Sequence, residues 1–175
     1  RLRDEEGEYI RATIFLPMAI KCGLIVDIDK LIVNKVLRTL EQEKHQSNFC
    51  SVNINIQSLL NKEFSDWFIT TLIKHSSLAR RLIIEIPEYP LTTNSKRIKQ
   101  VLAEIKRAGV GLAVDHVGQY VVSSFYVEQH HIDIIKLHGS IVRNIHESTE
   151  NQLFIRSLQA VNRQQTDVRL VAQGV

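Results

Sequence analysis

The stretch Gly111-Leu-Ala-Val-Asp-His-Val-Gly118 is the part of the sequence that decides the fold. Small and apolar residues lead directly into Asp115 and His116, which is typical of a buried parallel strand that ends in a loop. In α/β folds, ligands and catalytic groups collect at the carboxyl ends of such strands. The stretch therefore predicts a buried strand with a polar site at its end.

Three other apolar segments also end in a polar group, and they are Val52-Asn-Ile-Asn55, Leu82-Ile-Ile-Glu85 and Ile132-Asp-Ile-Ile-Lys136. The carboxyl ends of parallel strands meet at one edge of a sheet. We therefore expect one shared site that contains Asn53, Glu85, Asp115 and Lys136.

Strands alternate with helices along the whole chain. The patterns predict strands at 49–56, 81–86, 111–117, 132–137 and 168–172. They predict helices at 12–22, from 27 or 29 to about 44, at 63–75, from 94 or 95 to 108, at 123–129 and at 149–164. Residues 4–8 form an acidic turn, in a hairpin or a loop. Repeated βα units predict a parallel sheet. Five strands, with both ends of the sequence interrupted, fit a truncated (β/α)8 barrel of the TIM type, in one α/β domain over residues 1–175.

Composition narrows the class of protein. The chain has 175 residues, 44% hydrophobic content and a formal net charge of +3, as an ordinary single globular domain has. Nucleic-acid binding requires clustered charge rather than a small net excess. Two cysteines exclude a disulfide framework and favour a reducing compartment, and no apolar run reaches the roughly 18 residues of a membrane span.

The helix predicted to end at Ala108 carries both an apolar stripe and a run of cations. Ile98, Val101, Leu102 and Ile105 follow helical spacing and predict its buried face. Its cations are Lys96, Arg97, Lys99, Lys106 and Arg107. A solvated outer face is the first interpretation of these cations, and a patch for an anionic partner is the alternative.

The order of five short motifs resembles the EAL domain of cyclic di-GMP phosphodiesterases. The motifs are Val52-Asn-Ile-Asn55, Glu85-Ile-Pro-Glu88, Asp115-His-Val-Gly118, Ile135-Lys136 and Gln173-Gly-Val175. The resemblance implies a (β/α)8 barrel with two Mg²⁺ or Mn²⁺ ions and cleavage of one phosphodiester bond. It also implies that Asn53, Glu85 and Asp115 match ligands of the first ion, and that Lys136 matches the lysine near the attacking water.

Four positions depart from the pattern of that family, and His116 and Gln173 stand where it has metal-site carboxylates. His138 replaces the aspartate of the lysine motif and Pro87 replaces a threonine. We therefore expect no catalytic residue, no bound metal and no cofactor. Asn53, Glu85, Asp115 and Lys136 then remain as a hydrogen-bonded plug, with binding of a single metal or a nucleotide as the alternative. Zn²⁺ at His116 and His138 is a further alternative, and His130-His131 is predicted to be solvated.

A narrower resemblance is to the CsrD/MshH group of degenerate EAL proteins, carried by His116-Val-Gly-Gln-Tyr120, Ile134-Ile-Lys-Leu-His138 and Glu150-Asn-Gln-Leu-Phe154. It implies the cytoplasmic domain of an inner-membrane-anchored bacterial regulator. Such a regulator acts in ribonuclease E-dependent decay of small regulatory RNAs. The implied partner is the unphosphorylated glucose-specific EIIA component of the phosphotransferase system, and direct RNA contact is left open. A non-hydrolysing cyclic di-GMP receptor and a weak phosphodiesterase are the alternatives.

Overall fold

A computed structural model describes residues 2–3, 5–43, 48–120, 122–143, 145–165 and 168–174 of the chain. Its amino-terminal part is an antiparallel hairpin in which β1 (Leu2–Arg3) pairs with β2 (Tyr9–Ile10). The Arg3 guanidinium donates to the Gly7 carbonyl oxygen at 3.0 Å and so holds the turn. Of the hairpin and the loop predicted here, the hairpin is correct.

The centre of the fold is a five-stranded parallel sheet. Its strands are β3 (Cys50–Asn53), β4 (Leu82–Pro87), β5 (Gly111–Val117), β6 (Ile134–Leu137) and β7 (Arg169–Ala172). Each strand pairs in parallel with the next one along the chain. This sequential order is that of a βα barrel, whereas the strand order of a doubly wound sheet reverses at one point.

The helices of the described residues are α1 (Ala12–Lys21), α2 (Ile25–Gln42), α3 (Ile56–Leu60), α4 (Lys62–Lys74), α5 (Ser76–Ala79), α6 (Glu88–Thr93), α7 (Ser95–Arg107), α8 (Tyr126–Gln129), α9 (Gly139–Val142) and α10 (Thr149–Gln165). The long predicted helices are confirmed, and the helix predicted at 123–129 is shorter. The sequence did not predict the short helices α3, α5, α6 and α9. The predicted end of α2 at Lys44 lies outside the described residues.

The first predicted strand ends three residues early, because a helix begins where the strand was expected to continue. The Asn55 side chain accepts a hydrogen bond from the Gln57 backbone N–H at 2.9 Å. An asparagine in this position satisfies one of the unpaired amides of the first helical turn, and so starts α3.

The predicted apolar stripe of α7 is confirmed, since Ile98, Leu102 and Ile105 are fully buried. For α2, the spacing of Ile28, Leu31, Ile32, Lys35 and Val36, with Leu40 one turn on, predicts the apolar stripe. Leu40 is buried as predicted, but Leu31 is 69% exposed, and the other buried positions are Ile25, Asp29, Val33 and Leu37, so the predicted phase was wrong for most of the helix. For α10, helical spacing predicts that Leu153, Phe154, Leu158 and Val161 face the core. Leu158 is buried as predicted, but Leu153 is 58% exposed. The predicted burial of Val161 lies outside the described side chains.

The buried strand residues and the inner faces of the helices form one apolar core, which includes Phe64, Phe68 and Ile84. Among the described residues, no helix has both the length and the apolar character that a bilayer span requires.

Candidate functional site

The predicted site residues on β3, β4 and β5 lie at the same edge of the sheet. Asn53 is in register with Glu85, and Asp115 is in register with Pro87, two residues beyond Glu85. All three therefore stand at or near the carboxyl ends of neighbouring strands, as predicted.

Lys136 on β6 joins the two carboxylates. Its Nζ atom is 2.7 Å from Glu85 Oε2 and 4.0 Å from Asp115 Oδ2. The Glu85 and Asp115 side chains are only 8% and 9% exposed, and Lys136 is 21% exposed. Two largely buried carboxylates thus share one ammonium group, with a charge of −1 for the three side chains.

The pairing of β5 with β6 shifts its register between Val114 and Val117, and Asp115 and His116 lie within this irregular segment. The backbone of His116 has φ = 58°, a value that residues other than glycine rarely adopt. Its backbone N–H donates to Asp115 Oδ1 at 2.8 Å, which fixes the carboxylate. The local strain therefore lies at the residue that replaces a carboxylate in the motif.

The two histidines predicted as an alternative metal pair are neighbours. The ring centroids of His116 and His138 are 5.7 Å apart, and His116 Nε2 is 3.7 Å from Asp115 Oδ2. His138 Nδ1 is already bonded to Ser140, with the hydroxyl at 2.8 Å. In the part of the chain that the structure describes, no three His, Cys, Asp or Glu side chains are grouped so that they could hold one metal ion.

Gln173 follows β7 at the same edge of the sheet. Its backbone N–H donates to the Leu137 carbonyl oxygen at 3.3 Å, which extends the pairing of β6 with β7. The side chain is partly buried. Val175, the last residue of this motif, lies outside the described residues.

A cavity of about 970 Å³ opens beside the ion pair, on the β3 side. Asn53, Pro87 and His116 contribute to its wall, together with the inner faces of α1 and α2. Asp29 reaches into this wall from α2 and accepts a hydrogen bond from the Asn55 N–H at 2.9 Å. Burial raises the pKa of Asp29. Asn53 therefore lies in the wall of this cavity.

A buried network at the same edge of the sheet was not predicted from the sequence. Glu88 accepts hydrogen bonds from the Tyr126 hydroxyl at 2.6 Å and from the Gly118 N–H at 3.0 Å. Burial raises the pKa of Glu88, and burial together with the adjacent carboxylate raises the pKa of Tyr126. The network fixes the loop after Asp115 against α6. The glutamate at the end of the second motif was the only signal in the sequence for it.

The prediction that His130 is solvated was wrong. Only 3% of the residue is exposed, and its Nε2 atom is 2.7 Å from the Ser95 hydroxyl oxygen. Burial lowers the pKa of His130, with Lys99 and His131 adding to the effect. A buried histidine bonded to the first residue of α7 is a packing element that ties α8 to α7.

The donor set does not fit a pair of divalent cations. Mg²⁺ and Mn²⁺ prefer hard anionic oxygen ligands, and a pair of them brings four positive charges. The described site offers two carboxylates, and the ammonium of Lys136 already lies 2.7 Å from one of them. His116 and Gln173 add no negative charge.

The family model of the EAL domain matches residues 1–175. The chain belongs to the EAL domain family. This confirms the resemblance seen in the motifs, and with it the α/β fold of the TIM-barrel kind. The EAL part of the Vibrio cholerae LapD S helix-GGDEF-EAL structure, bound to c-di-GMP, has the same fold. Its TM-score is 0.88 at 21% identity, and the match covers 98% of this chain and 42% of that one.

Two curated proteins are similar to this EAL domain in sequence. It is 28% identical over 153 residues to the RNase E specificity factor CsrD of Escherichia coli, a match that covers 87% of this chain and 23% of CsrD. It is also 28% identical over 177 residues to the cyclic di-GMP phosphodiesterase PdeA of Borreliella burgdorferi, which covers 100% of this chain and 26% of PdeA. The chain spans about a quarter of the length of these relatives.

Proposed function

We propose that this EAL domain does not hydrolyse cyclic di-GMP and serves as a protein-binding module in a regulator of small-RNA turnover. The observation that carries the proposal is the composition of the site. Lys136 forms an ion pair with Glu85, and His116 and Gln173 occupy positions where the family motif has carboxylates. Two divalent ions would meet too little negative charge here to be held and to activate a water.

The similarity to CsrD supports the second half of the proposal, because CsrD is named as an RNase E specificity factor. We propose that the parent protein is membrane-anchored, with this domain on the cytoplasmic side. Its proposed partner is the unphosphorylated glucose-specific EIIA component. A phosphohistidine adds negative charge to the partner, and that charge costs binding energy when it meets apolar or acidic groups. About 1.4 kcal/mol of such cost gives a tenfold preference for the unphosphorylated form.

A calorimetric titration of the purified domain with both forms of EIIA tests the proposal. We expect the unphosphorylated form to bind at least tenfold more tightly. Equal affinity for the two forms, or binding of neither, would reject this partner.

A non-hydrolysing receptor for cyclic di-GMP is the second candidate, because the LapD structure that shares this fold holds c-di-GMP. Titration with cyclic di-GMP, with and without Mn²⁺, separates the candidates. Metal-independent binding in the micromolar range supports the receptor, and the absence of binding supports the protein-binding module alone.

A further inference from the structure

A second pocket lies at the opposite edge of the sheet from the candidate site. Its volume is about 260 Å³, and its wall includes Ile83, Gly111, Ile134 and Arg169. Three of these are the first residues of β5, β6 and β7, and Ile83 is the second residue of β4. Because the strands are parallel, this pocket marks the amino-terminal edge.

The pocket carries uncompensated positive charge. Lys106 is neutralised, since its Nζ atom is 2.7 Å from both carboxylate oxygens of Asp133. Arg80 and Arg169 also line the pocket and are exposed. Neither arginine side chain has a hydrogen bond or an ion pair with another described residue. Among the described residues of the wall, three cations and one carboxylate give a net charge of +2.

The charge is not explained by helix termini alone. Cations in the last turn of a helix stabilise its carboxyl end, and this accounts for Lys106 and Arg107 on α7. Arg169 is on a strand, so that explanation does not apply to it. An exposed arginine at the mouth of this pocket is suited to bind an anion from outside the chain.

An aromatic ring completes the site. Phe49 lines the same pocket and is 66% exposed. Sites for single-stranded nucleic acids combine a cationic groove for the phosphates with exposed aromatic rings on which bases stack. We propose that this amino-terminal edge binds single-stranded nucleic acid, with Arg80 and Arg169 on phosphates and Phe49 under a base.

The spacing of the arginines suits a chain of phosphates. Arg80 lies two residues before the start of β4, and Arg169 is the first residue of β7. Three inter-strand spacings, about 14 Å, separate these two strands. That distance corresponds to about four phosphates of a stacked strand. The carboxylates of an acidic peptide could pair with the arginines, but they would not stack on the exposed ring of Phe49.

The site does not depend on the function proposed above. It is at the other edge of the sheet and shares no residue with the Glu85–Lys136 pair. Loss of EIIA binding would leave this proposal standing, and failure of nucleic-acid binding would leave the proposed protein-binding function standing.

Fluorescence anisotropy with a labelled 12-nucleotide oligouridylate tests the proposal, at salt concentrations from 50 to 200 mM. The charge variant is Arg80→Gln/Arg169→Gln and the stacking variant is Phe49→Ala. The matched control is Lys96→Gln/Arg97→Gln, which removes the same charge from two exposed cations in the first turn of α7. That turn lies near the carboxyl edge, because α7 leads from the end of β4 back to the start of β5.

We expect the charge variant to weaken binding more than tenfold and to reduce the slope of log K against log salt by about 1.4, since each phosphate contact contributes about 0.7. We expect Phe49→Ala to weaken binding about fivefold or more with an unchanged slope. The control should bind within a factor of two of the parent. Absence of binding, an equal loss in the control, or no effect of Phe49→Ala would overturn the proposal. So would displacement of the probe by polyglutamate as effectively as by unlabelled oligouridylate.

Discussion

Replacing Lys136 by methionine tests the energetics of the ion pair at the centre of the candidate site. Methionine keeps much of the length of the side chain and removes its charge. Glu85 would then remain a carboxylate with 8% exposure and without the ammonium now 2.7 Å away, while Asp115 would lose the same ammonium at 4.0 Å. Removing one member of a buried pair costs about 3–5 kcal/mol. With a urea m-value of ~2 kcal/mol per molar, the unfolding midpoint falls by about 1.5–2.5 M.

The chain offers a matched control for this experiment. Lys62 and Asp66 also form an ion pair at 2.7 Å, but their side chains are 87% and 62% exposed. Water screens such a pair, so Lys62→Met should leave the midpoint nearly unchanged. Glu85→Gln/Lys136→Met should recover part of the lost stability, because it removes both buried charges. A midpoint for Lys136→Met equal to that of Lys62→Met would refute the view that this lysine is held as a buried structural partner.

Three further predictions use the same urea assay. Gly118→Ala should destabilise the protein by about 1–3 kcal/mol more than Gly7→Ala. Both glycines have a positive φ, but only at Gly118 would an added Cβ lie 2.7 Å from the Ile141 side chain. Equal losses of stability would contradict this close packing. Burial raises the pKa of Asp29 in the folded state. The stability that its carboxyl contributes is therefore fully present below the unfolded pKa of about 3.8 and is lost as the pH rises through the folded pKa. Asp29→Asn should therefore gain on the parent between pH 4 and 7, and a constant difference would count against the burial of a charge. Because burial lowers the pKa of His130, the protein loses stability as the pH falls from about 6.5 through the folded pKa. His130→Gln should not show this part of the loss of stability at acid pH, and a pH profile equal to that of the parent would contradict the prediction.

The sheet could be predicted because each strand signal is local. An apolar run such as that before Asp115 needs no distant residue to be recognised, and parallel pairing then brings its end beside Glu85 and Lys136. The site was predictable for the same reason, since the identity of the last residue of each strand places its side chain at the shared edge. The short helix α3 could have been found from Asn55, which is a favourable cap.

The remaining features depend on contacts between distant parts of the chain. The Glu88 to Tyr126 hydrogen bond joins residues 38 positions apart, and no periodicity signals it. His130 follows a four-residue helix, and only the packing of that helix against α7 shows that the ring is buried. The phase of α2 was wrong because leucines occur on more than one face of this helix, so that Leu31 fitted an apolar stripe although it is exposed.

The most direct test of the proposed loss of catalysis is the rate at which the domain converts cyclic di-GMP to its linear product in saturating Mn²⁺. We expect no linear product above a protein-free blank. His116 and Gln173 stand where the family motif has carboxylates, and Lys136 forms an ion pair with Glu85. Turnover at an ordinary enzymatic rate, on the order of 1 per second or faster, would contradict the proposal.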